Sequence, residues 1–483
     1  MELTKLIKNL NQYAIVGDLD PVIHDLYYDS RKVVPNSLFF CIKGANTDGH
    51  RFAYDAINRG AVALVTERKL DVPDHITQII VNDSKDAMAV ISSDFFGNPA
   101  DKLTLIGVTG TNGKTTVTYL IKAIAEQHGK KVGVIGTIMN LIGDKKMPTE
   151  RTTPESLDLN RLSHEMVRER VEWVAMEVSS HSLELGRVKG IPFEVGIFTN
   201  LSQDHLDFHK TMENYQKSKE KLFHQSRIGI INMDDPKGRI IAESLRIPVY
   251  GYGLQWETDA GVRDIVVSAK GTSFRASFHE KEIDFHLNIP GIFSVYNGMA
   301  AATACHVLGI PLETIKKGLE SVKSVPGRFE VLDTKGKEYT VLLDYAHTPD
   351  GLENVLKTVA EFAKGEIITL FGCGGDRDPG KRPIMGEVAG RYSDFCIITS
   401  DNPRNEDPFS IIKQIEVGVK ITGCPYVTIE NRKEAIEYAL KHGKKGDVII
   451  LAGKGHETYQ EIKGKRYDFD EKQIVMEILA SGD

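Results

Sequence analysis

Cysteine is scarce: five residues in 483, at Cys41, Cys305, Cys373, Cys396 and Cys424, and none falls into C-x-x-C spacing. That scatter suggests neither a disulfide framework nor a zinc site. Long apolar runs are missing too, since no segment approaches the roughly 18 consecutive apolar residues of a membrane span. The opening MELTKLIKNLNQYA lacks the basic-then-apolar layout of a signal peptide. The expectation is a cytoplasmic protein with no stable membrane association. No excess of positive charge is present, with 60 Lys and Arg against 67 Asp and Glu and a net charge of −7. This argues against a nucleic-acid partner, so any anion site must be local. Low-complexity tracts and short-period repeats are absent. What remains is a globular chain longer than one core usually serves, with about three domains of about 150 residues as the starting expectation.

Three blocks differ in texture. Residues 1–98 mix short apolar runs (SLFFCI, AVALVT, TQIIV) with turn residues and close on FFGNPADK, a linker candidate. From Leu103 the pattern becomes strand, glycine loop, helix: LTLIGV, TGTNGKTT, then VTYLIKAIAEQHG with apolar residues at helical spacing and a stop at Gly129. Further apolar runs follow at KVGVIGTI, VEWVAMEV, FEVGIFTN and RIGIIN. Short, fully apolar strands alternating with helical stretches predict an α/β fold on a parallel sheet covered on both faces. A second break near SVPGRFEVL gives expected domains at 1–98, 99–327 and 328–483. In the last, four apolar runs each end in a polar cluster: at Asp344 and His347, at Gly372 to Arg377, at Arg404, and at Gly453 to Glu457. Ligands in open parallel sheets sit outside the carboxyl ends of the strands, so four such ends predict one wall of a cleft.

TGTNGKTT lies between a strand and a helix, the context that a phosphate loop requires. Backbone N–H groups at the helix N-terminus favour anions, Lys114 can reach terminal phosphates, and Thr115 can ligate magnesium. The strict GxxxxGK[ST] spacing fails by one place, because Val108 stands six residues before Lys114 and Gly107 one further back. This variant points away from a generic GTPase, and no guanine-reading NKxD-like motif follows. Glu177, Asp204 and His205 end apolar runs near that loop and are candidate metal ligands. Lys217, Lys219 and Lys221 crowd into YQKSKEKLF, which on spacing alone reads as a solvated basic helix face. Asp401-Asn402-Pro403-Arg404 reads either as a turn or as a guanidinium placed to catch a carboxylate.

GTNGKTT, MEVSSHSL, TNLSQDHLDFH, YxxxK, YNGMAA, PGRFE, DYAHTPD and DNPR occur in that order. Together they resemble the Mur ligases of bacterial peptidoglycan assembly, over essentially the whole chain, and most closely the branch that adds the third residue of the stem peptide. The resemblance implies a three-domain Mur ligase architecture: an N-terminal UDP-binding domain, a central P-loop parallel-sheet ATPase domain and a Rossmann-like C-terminal amino-acid-binding domain. It implies an ATP-dependent amide ligase acting as a monomer, with UDP-N-acetylmuramoyl-L-alanyl-D-glutamate and meso-diaminopimelate as substrates. Carried onto matching positions, Gly110, Thr111, Asn112, Gly113, Lys114, Thr115 and Thr116 hold ATP phosphates, with Asn297, Arg328 and Asp344 as further ATP contacts. Thr115, Glu177, His205 and Lys219 would serve Mg2+, Lys219 as a carbamate formed with carbon dioxide. Ser30, Thr152, Thr153, Ser179 and Arg187 would hold the UDP-dipeptide; Leu185 stands where some relatives carry a glutamine. Arg377, Asp401, Asn402, Pro403, Arg404, Gly453 and Glu457 would hold diaminopimelate, Arg404 taking its second carboxylate. Rival readings are a lysine-adding ligase or folylpolyglutamate synthase of the same fold and, from another class, a nucleotide switch.

Overall fold

A computed structural model describes residues 1–481 apart from 18–19, 45–46, 255–257, 269 and 280. The chain forms two compact units, one comprising 1–109, 130–196 and 218–228, the other 110–129, 197–217 and 229–483.

In the first unit a five-stranded sheet runs in the order Tyr13–Val16, Thr77–Val81, Ala61–Thr66, Ser37–Phe40, Asp25–Tyr27. Only the Tyr13–Val16 pairing is antiparallel. The inner strands are apolar on both sides because both faces are covered. Leu38, Phe40, Val65 and Ile79 pack on Met88 and Ile91 of the helix Ser84–Phe95, whereas Phe39, Cys41 and Leu64 pack on Ala53 and Ala56. Asp83 starts that helix by accepting hydrogen bonds from the N–H groups of Lys85 and Asp86. A second group of strands in this unit aligns Thr104–Thr109, Trp173–Glu177 and Val132–Ile135 in parallel register. A short antiparallel hairpin, Asn140–Ile142 with Lys145–Met147, is added to Val132–Ile135.

The second unit holds the helix Lys114–Gln127 against Ile292–Val307 and Leu312–Ser321. The approach is close: a Cβ on Gly318 would lie 2.5 Å from Ile124 Cα. Parallel pairing of Ser226–Asn232 with Val249–Tyr252 lies in this unit at Gly229–Asn232. Beyond that point the parallel arrangement gives way to an antiparallel meander of Ala260–Ser268, Gly271–Phe278 and Lys281–Leu287. Lys281–Leu287 alternates exposed and buried residues, so it never shows the continuous apolar run that marks a strand buried on both faces.

The C-terminal sheet has the order Glu330–Leu332, Thr340–Asp344, Val448–Ala452, Ile367–Phe371, Phe395–Ile398, Tyr426–Thr428, all parallel except the first pairing. The four strands singled out by their polar ends are therefore neighbours pointing the same way. Among the described residues no helix is long and apolar enough to cross a membrane.

Candidate active site

The loop after Thr104–Thr109 turns on two glycines. Gly110 has φ 147° and Gly113 φ 86°, and a Cβ would meet Thr199 Oγ1 at 1.8 Å or Asn297 Oδ1 at 2.3 Å. Only a residue without a side chain lets the backbone pass there. Asn200 Oδ1 accepts from Asn112 N–H at 2.9 Å, and Thr199 Oγ1 donates to Asn112 O at 2.6 Å. Lys114 opens the helix and donates to the loop carbonyls of Gly110 and Thr111 at 3.0 and 2.8 Å. The loop thus presents helix N-terminal N–H groups with a cation folded over it, the electrostatics of an anion site.

A cavity of about 300 Å³ adjoins this loop, walled by Asn112, Gly113, Thr116, Asn297, Arg328 and Asp344 among others. Arg328 Nη2 donates to Thr115 Oγ1 at 3.1 Å, and its guanidinium lies 4.5 Å above the Tyr345 ring. Its Nε is buried without a hydrogen-bond partner among the described residues, an unspent donor on a residue that lines the cavity. Asp344 accepts from the N–H groups of Phe329 and Ala346 at 2.6 and 2.7 Å. Burial pushes its carboxyl up, against the pull of Arg328 and those two N–H groups.

His205 sits at φ 54°, its Nε2 3.2 Å from Asp204 Oδ2. Asp204 is also faced by His347 Nε2 and Lys381 Nζ, each at 3.7 Å. Burial would raise the Asp204 carboxyl, but His347, His205 and Lys381 outweigh it and hold it well below the usual range.

In the other unit, Glu177 ends its strand almost fully buried. Its Oε1 accepts from Thr137 N–H at 2.8 Å and its Oε2 from Thr137 Oγ1 at 2.9 Å. With its single proton spent there, Thr137 Oγ1 can only accept from Thr152, 3.0 Å away. Thr153 Oγ1 donates to Glu177 O at 2.8 Å, and Ser179 caps the helix Ser180–Glu184 by accepting from Ser182 N–H at 3.2 Å. Arg187 donates to Thr153 O at 3.3 Å and lies 2.9 Å from Glu155, a carboxylate it shares with Arg151. Two guanidiniums thus share one carboxylate. The structure thus gathers Thr152, Thr153, Glu177, Ser179 and Arg187, while Ser30 belongs to the separate 3-10 turn Ser30–Lys32.

Lys219 overturns the solvated-face reading of its helix: it is 1% exposed, whereas Lys217 is exposed and Lys221 reaches Glu184 at 2.7 Å. Burying an ammonium is costly unless it is paired or its charge is removed. Within this unit, Glu177 and a carboxylated Lys219 would be oxygen donors of the hard kind magnesium prefers. Among the described residues no three His, Cys, Asp or Glu side chains form a metal-binding group.

The third constellation surrounds Asp401-Asn402-Pro403-Arg404. Its strand ends at Ile398, three residues before Asp401. Asn402 Nδ2 donates to Glu457 Oε2 at 2.9 Å, and Lys454 Nζ, wholly buried, reaches Asn402 Oδ1 at 3.2 Å and Glu457 Oε2 at 3.1 Å. Gly453, at φ 114°, leaves only 2.7 Å between a would-be Cβ and Asp401 Oδ2. Burial would raise the Asp401 carboxyl, but Lys454 and Arg432 lower it. Arg432 in turn is wholly buried on Glu471 at 2.7 Å and donates to Ala452 O at 2.8 Å. Arg404, at φ 50°, donates through Nη1 to Gly375 O at 2.8 Å. Arg377 is exposed close by, donating to Asp376 O at 2.9 Å. Sequence reasoning missed Lys454, Arg432 and Glu471. Lys454 lies within the polar cluster Gly453 to Glu457 that ends an apolar run, so it had a signal; the Arg432–Glu471 pair joins two helices distant in sequence and had none.

Family profiles match three stretches: "Mur ligase family, catalytic domain" over 22–96, "Mur ligase middle domain" over 108–305 and "Mur ligase, glutamate ligase domain" over 327–455. The chain is 51% identical over 484 residues to the UDP-N-acetylmuramoyl-L-alanyl-D-glutamate--2,6-diaminopimelate ligase of Caldanaerobacter subterraneus subsp. tengcongensis, covering 100% of both chains. It is 50% identical to a Clostridium acetobutylicum protein of the same designation, numbered 1, covering 99% of each. A solved structure of a UDP-N-acetylmuramoyl-L-alanyl-D-glutamate--2,6-diaminopimelate ligase superimposes with a TM-score of 0.67 at 32% identity, covering 95% of each chain. Acinetobacter baumannii MurF shares the fold with a TM-score of 0.70 at 15% identity, covering 99% of each.

Proposed function

The chain belongs to the Mur ligase family, and on that premise we propose that it joins meso-2,6-diaminopimelate to the D-glutamate γ-carboxylate of UDP-N-acetylmuramoyl-L-alanyl-D-glutamate, consuming ATP, in peptidoglycan precursor synthesis. The observation that carries the reading is Arg404, half-buried on Glu461 and two residues past Asn402, which itself holds Glu457, beyond the carboxyl end of a parallel strand. The distal centre of diaminopimelate bears both a carboxylate and an ammonium, which a guanidinium and a carboxylate can hold together.

The γ-carboxylate attacks the terminal phosphorus of ATP, giving an acyl phosphate and ADP. The amine of diaminopimelate then adds to the acyl carbon, and collapse of the tetrahedral intermediate expels phosphate and leaves the amide. Residues 110–116 supply N–H groups to the phosphates. Lys114 gives up its two loop carbonyls for phosphate oxygens, and the unspent Nε of Arg328 adds a donor. Arg187 and Arg151 suit the anionic dipeptide. Mg2+, when held by Thr115, Glu177, His205 and carboxylated Lys219, would neutralise charge on the transferring phosphoryl group. Lys219 as a neutral amine adds to carbon dioxide, forming an N–C bond and releasing one proton, which replaces a buried cation by an oxygen ligand. Catalysis by this chain's own residues is then positioning and charge neutralisation. The substrates are cytoplasmic precursors, and the chain would act on them there as a monomer divided at about residues 98 and 327.

ADP release measured with the UDP-dipeptide and each amine in turn tests the reading. Turnover with diaminopimelate and little with lysine is expected; the reverse overturns the specificity.

A further inference from the structure

The guanidinium of Arg404 is already partly spent. Its Nε lies 3.2 Å from Glu461 Oε2 and its Nη1 donates to Gly375 O at 2.8 Å. An arginine grips a carboxylate bidentately through either the Nε/Nη2 edge or the Nη1/Nη2 edge. One donor of each edge is taken, so an arriving carboxylate must displace an occupant to form two bonds.

The two occupants differ in freedom. Gly375 is fixed: its N–H donates to Asn402 O at 2.9 Å, and a Cβ on it would lie 2.0 Å from Pro403 O. Its carbonyl therefore moves only with the loop. Glu461 is anchored through its backbone, in the hairpin Tyr459–Ile462 with Lys465–Asp468. Arg404 N–H donates to Glu461 O at 3.0 Å, Lys463 N–H to Arg404 O at 2.7 Å, and Glu461 N–H to Asn402 Oδ1 at 2.9 Å. These bonds build Glu461 in beside Arg404, while its carboxylate, on a rotatable stem and 27% exposed, can swing away.

We propose that Glu461 is a specificity-determining residue, an internal carboxylate that occupies Arg404 until the distal carboxylate of the incoming amino acid displaces it. The inference rests on the reading of Arg404 as the receptor for that carboxylate. Its consequence has two signs. A dicarboxylic diamine must break the Arg404–Glu461 pair, which costs affinity. Lysine, with no carboxylate at that end, leaves the pair intact and is spared an unneutralised guanidinium facing its ammonium. Glu461 therefore narrows the discrimination that Arg404 alone would give.

The test is steady-state kinetics of Glu461→Gln, which keeps the side chain's shape, alone and combined with Arg404→Ala. A partly exposed ion pair gives an expected fall in KM for meso-diaminopimelate of about two- to five-fold. KM for ATP and for the UDP-dipeptide stays constant, and the preference for diaminopimelate over lysine rises. In the Arg404→Ala background the Glu461→Gln effect vanishes. An unchanged or raised KM for diaminopimelate, or the same fall without Arg404, overturns the proposal while leaving the reaction in place. A wild-type enzyme that uses lysine and not diaminopimelate instead overturns the function, and this inference with it.

Discussion

If Arg404 receives the distal carboxylate as proposed, replacing it by alanine removes a charge-assisted pair, and KM for diaminopimelate should rise by about 2 kcal/mol, roughly 30-fold, with KM for ATP unchanged. Equal effects on both substrates would make Arg404 a support of the fold. Lys219→Ala should abolish turnover, and added short-chain carboxylic acids should restore part of it by supplying the missing oxygens; wild-type activity would remove the carbamate from the mechanism. The two residues differ in how far the sequence revealed them. DNPR stood out as an arginine fixed by a turn at a strand end, and the structure keeps it there. Lys219 sat among three lysines whose spacing suggested a wet face, because burial of one helix residue depends on what packs over it, and spacing holds no record of that. Glu461 gave no signal, since its meeting with Arg404 is made by a hairpin 57 residues downstream, 461 minus 404.

At the scale of elements, the phosphate loop was legible because its conformation demands glycine at particular places. Gly113→Ala puts a Cβ into the left-handed region and against Asn297, at a backbone cost of about 1–2 kcal/mol. ATP binding measured by titration should weaken about ten-fold, with diaminopimelate binding spared. The 3-10 turn Gly49–Phe52 makes a separate prediction. The ring of His50, 2.5 Å away, then its N–H at 3.0 Å and Arg68 at 3.0 Å hold the Asp48 carboxyl well below the usual range. A depressed folded pKa stabilises above the ordinary carboxylate value near 4 and is lost as pH falls through the folded value. Asp48→Asn should therefore cost about 1 kcal/mol in urea unfolding at pH 7 after allowance for screening, and progressively less below about pH 4. The antiparallel meander was not legible, because Gly271–Phe278 buries polar Thr272 and Ser277 and Lys281–Leu287 faces solvent at alternate residues, so neither reads as the continuous apolar run of a strand buried on both faces.

For the whole molecule, family and architecture were legible from eight ordered motifs, since each marks a place where chemistry restricts the residue type. What the motifs could not carry was the buried Arg432–Glu471 pair, which joins two helices and supports the strand end at Ala452. The proposed ligase spends ATP only to couple diaminopimelate to the UDP-dipeptide. The most direct measurement is ADP release by the wild-type chain with Mg2+, ATP and the UDP-dipeptide, with diaminopimelate added or left out. Stoichiometric ADP and amide product that require diaminopimelate are predicted; ATP turnover indifferent to the amine, or driven by lysine instead, would contradict it.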